Sequence, residues 1–165
     1  MALISQIYAQ DASRKIKTCL QSKARSGEYL GFQKIYGYII DENKKLIIDR
    51  EPAGIVKKIF EMRSRRMTYD AIAHWLNEKK ILVPRLYFKY DKFRDDGTIP
   101  EMNMWTRTIL VKMINNEHYT GKLIFGRYKM DKIRGKTATR VPRDKWIIVE
   151  NSHEALVSEE LFNKT

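Results

Sequence analysis

Thr108, Val111, Lys112 and Asn115 stand at i, i+3, i+4 and i+7, a spacing that puts four side chains on one face of a helix. A hydroxyl, an ammonium and an amide there offer hydrogen-bond donors and acceptors suited to base edges. The valine offers the apolar contact that a thymine methyl accepts. Arg107 flanks the set. A solvated helix face has the same pattern, so the spacing leaves both readings open. A second concentration runs from Arg127 to Lys145, where Arg127, Lys129, Lys132, Arg134, Lys136, Arg140, Arg143 and Lys145 face only Asp131 and Asp144. Gly135, Thr137 and Ala138 keep its tip small. A flexible cationic arm of this kind suits phosphate neutralisation or insertion into a narrow minor groove, and a charged solvent loop is the plain alternative.

Catalytic chemistry finds little support. There is no Gly-rich phosphate loop and no Ser-His-Asp order with supporting glycines. Cys19 is the single cysteine, so neither a disulfide framework nor a thiolate zinc site can form. His74, His118 and His153 lie far apart without metal-ligand spacing, and no cofactor is expected. Asp95 and Asp96, in a polar turn, are the only inexpensive candidates for a metal-dependent nuclease.

Charge narrows the partner. The 165 residues carry 32 Lys and Arg against 20 Asp and Glu, a formal charge of +12, while 43% hydrophobic content supports one good core. Such a surplus on a folded chain points to DNA, RNA or acidic lipid. No apolar run approaches the ~20 residues of a membrane span, and the start lacks a signal peptide's basic and apolar regions. The expected setting is a reduced cytoplasm.

The elements that must position these residues follow from periodicity. Residues 2–26 read as a helix with Leu3, Ile4, Ile7, Tyr8, Ala12, Ile16 and Leu20 on one stripe. Arg14, Lys15, Lys17, Lys23 and Arg25 lie on the other face, and Gly27 stops it. The chain opens inside this pattern without a cap, so a longer helix extending before Met1 is expected. Residues 35–40 and 45–49 predict a strand pair around a polar turn. Asp49 is placed to cap a helix with Pro52 in its first turn, and Thr68 to cap the next, ending near Lys80. Residues 85–104 read as a long connection before a fourth helix at 106–115. The helices at 68–80 and 106–115 then form a helix-turn-helix arrangement with an oversized turn. Strands are predicted at 122–128 and 145–149, and Ser158 begins a short helix. The fold class is α+β, helices packed on a small, mainly antiparallel sheet.

A set of residues resembles the recombinase domain of large serine recombinases. It includes Lys23 to Gly31, similar to the end of that family's interdomain helix and linker, and Tyr36-Gly37-Tyr38. Ile55-Val56, Ile59-Phe60, Ile72-Ala73 and Leu76-Asn77 match its first two domain helices. Trp105 and the run Met113 to Gly121 follow in order, as does His153 to Phe162. Departures are local: Gln33-Lys34-Ile35 stand where a proline is usual, and Arg65-Arg66-Met67 and Lys80 where glycine is usual.

The resemblance implies an interdomain helix and linker over 1–31 and a DNA-binding domain over 32–165. That domain recognises an attachment or transposon-end half-site in double-stranded DNA. It also implies a bacterial parent enzyme that cuts through a phosphoserine linkage, exchanges strands as a synaptic tetramer, and keeps its catalytic serine outside this segment. This chain is then a non-catalytic monomer, with Lys23, Arg25, the 107–115 face and the 127–143 cations as DNA contacts. A helix-turn-helix transcription regulator or an RNA-binding domain remains the alternative, with the nuclease behind it.

Overall fold

The computed structural model describes residues 2–31, 34–89, 103–131 and 136–165. The first helix, α1 (Ala2–Arg25), closes at Gly27. With φ +84, Gly27 lets its own N–H donate to the Ala24 carbonyl and the Glu28 N–H to that of Lys23, both at 3.1 Å. Among the described residues, only the last turn of α1 docks. Ala24 is fully buried, whereas Ile7, Tyr8 and Ile16 are 53%, 74% and 61% exposed.

Strands β1 (Tyr38–Ile40) and β2 (Leu46–Ile48) pair antiparallel, Tyr38 opposite Ile48. The expected strand starts later than Ile35 because Gly37 has φ +99 and turns the chain. A Cβ there would lie 2.8 Å from Leu156 Cδ1 and 3.2 Å from Val56 Cγ2, so a side chain is excluded twice over. Helix α2 (Arg50–Ser64) follows and buries Pro52, Ala53, Val56, Ile59, Phe60 and Met62. Asp49 occupies its N-cap position but makes no side-chain cap bond, contrary to the sequence reading. Its buried carboxylate instead accepts from the Tyr87 hydroxyl at 2.7 Å.

Helix α3 (Tyr69–Glu78) is capped as expected, Thr68 Oγ1 accepting from the Ala71 N–H. Tyr87 belongs to α4 (Pro84–Lys89), a helix inside the stretch read as a long connection. Pro84 opens it, where a missing N–H leaves no donor unmatched, and Leu86 and Tyr87 anchor it. Residues 90–102, with Asp95 and Asp96, lie outside the described residues. Helix α5 (Arg107–Ile114) packs beside α3 and buries Leu110, Met113 and Ile114.

In the C-terminal half, β3 (Leu123–Phe125) pairs with β6 (Ile147–Val149), and β4 (Tyr128–Asp131) with β5 (Lys136–Arg140). The predicted strand 122–128 is split because Gly126, at φ +85, turns the chain between β3 and β4. Helix α6 (Glu159–Asn163) is capped by Ser158, and Lys122 ties it down through Glu159 at 2.7 Å. The α+β class is as expected, but the described strands form three separate two-stranded antiparallel ladders, not one sheet.

The core gathers Tyr36, Tyr38, Val56, Ile59, Phe60, Ile72, Leu76, Trp105, Leu110 and Tyr119. Its tyrosines bury their rings and still satisfy their hydroxyls, donating to the carbonyls of Leu82 (Tyr36), Glu154 (Tyr38) and Tyr36 (Tyr119) at 3.2, 2.8 and 2.9 Å. Burial pushes all three phenols well up, so they act as neutral donors that stitch distant segments together.

Candidate nucleic-acid interface

Helix α5 owes its placement to two asparagines that imitate backbone. Asn77, at the end of α3, donates from Nδ2 to the Trp105 carbonyl at 3.1 Å and accepts the Trp105 N–H at 2.7 Å. Asn103 donates to the Ile81 carbonyl at 3.0 Å and accepts from the Val83 N–H at 2.8 Å. Trp105 Nε1 donates to the same Ile81 carbonyl at 2.8 Å. These bonds fix the turn that launches α5, so the opposite face of the helix is held rigidly.

That face is outward, as its spacing predicts. Thr108, Lys112 and Asn115 are exposed and Val111 is half-buried. Asn115 Nδ2 donates to the Val111 carbonyl at 2.8 Å, which engages one amide hydrogen within the helix. Arg107 is exposed at the helix start, its guanidinium 5.7 Å from the Tyr69 ring centre. Arg63 approaches the same ring at 4.6 Å.

The arm read as flexible is more built than its sequence implies. Its two sides pair as β4 and β5, with a register shift between Lys129 and Asp131. At its foot, Arg127, Arg140 and Arg143 surround the Trp146 indole at 5.2, 5.9 and 5.3 Å. Arg143 binds Glu117 bidentately at 2.9 and 2.6 Å, and Arg127 Nη2 lies 3.6 Å from the same carboxylate. The Arg143 hydrogen bond draws the Glu117 carboxyl below its ordinary range. Arg143 thus serves the fold first, which its sequence assignment as a contact did not anticipate. Lys132 and Arg134 lie outside the described residues, and the side chains of Lys129 and Lys136 are likewise not described.

The structure brings Lys112, Asn115 and Arg127 to one cleft, together with Lys34, which the sequence reading did not select. Lys23 and Arg25, in the last turn of α1, do not line it. Lys34 had no periodic or motif signal, since it stands in an irregular approach to Tyr36. Trp146 and Glu117 were missed too, although an aromatic residue amid arginines is a detectable pattern. Among the described residues no His, Cys, Asp and Glu side chains gather as a metal-holding group. None of the described helices is long and apolar enough to cross a membrane.

The described chain is thus a mixed α+β domain with an outward polar helix and a hairpin flanked by arginines. Its family is shown by sequence: the profile of the Recombinase family matches residues 50–165, and the chain belongs to that family. Two solved structures share the fold. One is a crystal structure of an LSR–DNA complex, 18% identical, with a TM-score of 0.56, covering 90% of this chain and 35% of that one. The other, from work on sequence requirements of the Listeria innocua prophage attP site, is 17% identical with a TM-score of 0.54, covering 92% and 48%. This chain therefore spans less than half the length of either. No curated protein matches.

Proposed function

We propose that this chain binds double-stranded DNA at an attachment or transposon-end half-site, as the DNA-positioning domain of a large serine recombinase. The observation that carries this reading is the rigid outward face of α5, with Thr108, Lys112 and Asn115 exposed beside a hairpin rich in arginine. Base readout needs donors and acceptors held at fixed positions, and the Asn77 and Trp105 bonds supply that rigidity. Family membership and the fold shared with a DNA complex support it. In this reading residues 1–31 are the interdomain helix and linker, residues 32–165 the DNA-binding domain, and the segment is a monomer that positions DNA without cutting it. Binding is tested by titrating labelled duplexes carrying the element's own end sequence against scrambled duplex, single strands and duplex RNA. Tighter binding to the cognate duplex is expected. Equal affinity for all four, or preference for RNA, overturns the reading. Supercoiled plasmid should stay uncut with and without divalent metal, and nicking that follows the folded protein through purification would return the nuclease alternative.

A further inference from the structure

A cleft of about 400 Å³ opens between the C-terminal end of α5, the segment entering β1 and the foot of the β4–β5 hairpin. Tyr36, Tyr119 and His118 form its lining on one side, and Lys34, Lys112 and Arg127 bring three cations to it. None of the residues lining it carries a carboxylate. The nearest acid on the hairpin side, Glu117, is already held by both arms of the Arg143 guanidinium. Arg127 is held loosely: its Nη2 lies 3.6 Å from Glu117 and its guanidinium faces Trp146, while Nε and Nη2 are buried and make no hydrogen bond among the described residues. Lys34 and Lys112 have no carboxylate within ion-pair distance among the described residues. The Lys34 ammonium lies 5.6 Å from the Phe88 ring centre, a contact that steadies a cation without neutralising it. Burial, with Arg127 nearby, holds His118 neutral, its pKa down to about 4, so the lining aromatics add no charge.

We propose that this cleft seats one phosphodiester of a DNA strand, held by Lys34, Lys112 and Arg127, so that the backbone passes between α5 and the hairpin. The inference rests on the duplex-binding reading above and adds to it a fixed phosphate position and a new contact residue, Lys34. The buried Arg127 donors must turn toward the cleft to meet phosphate oxygens, while the two lysines act as point charges.

Phosphate-ethylation interference on the cognate duplex tests it, comparing the wild-type chain with Lys34→Gln. Lys34 is exposed, so the variant should keep the wild-type unfolding midpoint. One phosphate per half-site should block wild-type binding when ethylated and have little further effect on the variant. Lys34→Gln should weaken cognate and scrambled duplexes alike and reduce the slope of log affinity against log salt by about 0.9. Lys164→Gln, an exposed change of equal charge outside the cleft, should do so less. If the wild-type chain binds no duplex, the functional reading itself fails. If it binds, and Lys34→Gln keeps both the wild-type interference pattern and slope, the cleft proposal alone falls. Inorganic phosphate that displaces duplex from the wild type but not from the variant, at constant ionic strength, would support the seat, because displacement requires the ion and the strand to compete for one place.

Discussion

Arg66 and Lys80 hold left-handed backbone, φ 63 and 54, at the two places where the resembled family usually has glycine. Both turns adopt the backbone that glycine takes most easily, with a long basic side chain in its place. A side chain in this region costs roughly 1–2 kcal/mol, and about 0.4–1 kcal/mol of any relief is returned because glycine loosens the unfolded chain. Lys80→Gly and Arg66→Gly should therefore each stabilise by up to ~1 kcal/mol, seen as a higher urea midpoint at unchanged slope. A lower midpoint for both would refute the strain argument. On α5, replacing Thr108 or Asn115 by Ala should narrow the gap between cognate and scrambled DNA by roughly 1–3 kcal/mol for each base-edge interaction removed. If these changes weaken both duplexes equally, the face does not read bases. The outward direction of these side chains was legible because helical spacing alone decides it. The pairing of Arg143 with Glu117 was not, since the two are 26 positions apart and meet only when the hairpin folds back.

Between elements, the bond most easily isolated is the one that joins α3 to the start of α5. Asn77→Ala leaves the Trp105 N–H and carbonyl without their partner, and an unmatched buried group costs about 1–3 kcal/mol. Chemical denaturation should show a loss in that range, with Asn77→Asp losing less because it keeps the acceptor. Wild-type stability in Asn77→Ala would mean that packing of Trp105 alone sets the helix. The phosphate contact proposed for the hairpin makes a different demand, since neutralisation needs charge within reach and no fixed geometry. Replacing Lys132, Arg134 and Lys136 together by Ala should weaken cognate and scrambled duplexes about equally, with the salt slope shallower by about 0.9 for each phosphate no longer neutralised. Selective loss of cognate binding would move readout to the hairpin. Long amphipathic helices such as α2 were legible as elements. Six-residue α4 was not, because it is too short for a periodic signal and is held by the Tyr87–Asp49 bond, a contact between distant positions.

For the molecule as a whole, the half-buried rings of His118 and His153, whose centres lie 6.5 Å apart, set an acid limit. Burial lowers both pKa values, that of His118 to about 4, while an unfolded histidine titrates near ~6.5. As pH falls below that value the unfolded chain takes up protons that the folded chain refuses, so stability is full above ~6.5 and declines toward pH 4. Glu117, drawn down by Arg143, adds its own loss only below the ordinary carboxylate range. Urea midpoints should therefore fall from neutral pH toward 4.5, with a shallower fall in His118→Gln. A midpoint flat across that window would count against the buried pair. Composition and motif order were enough to indicate the class of fold and the family, because both are properties of the chain summed over its length. Three separate ladders in place of one sheet depended on the turns at Gly37 and Gly126, which no composition reveals. The same docked last turn of α1 has a mechanical corollary. At ~1.5 Å per residue, its 24 residues reach about 36 Å, so a tilt of ~10° at the Gly27 joint sweeps the far end through roughly 6 Å. Among the described residues the fold holds this rod at its root alone, so any small angular play there would become, at the tip, a displacement larger than the spacing of neighbouring base pairs.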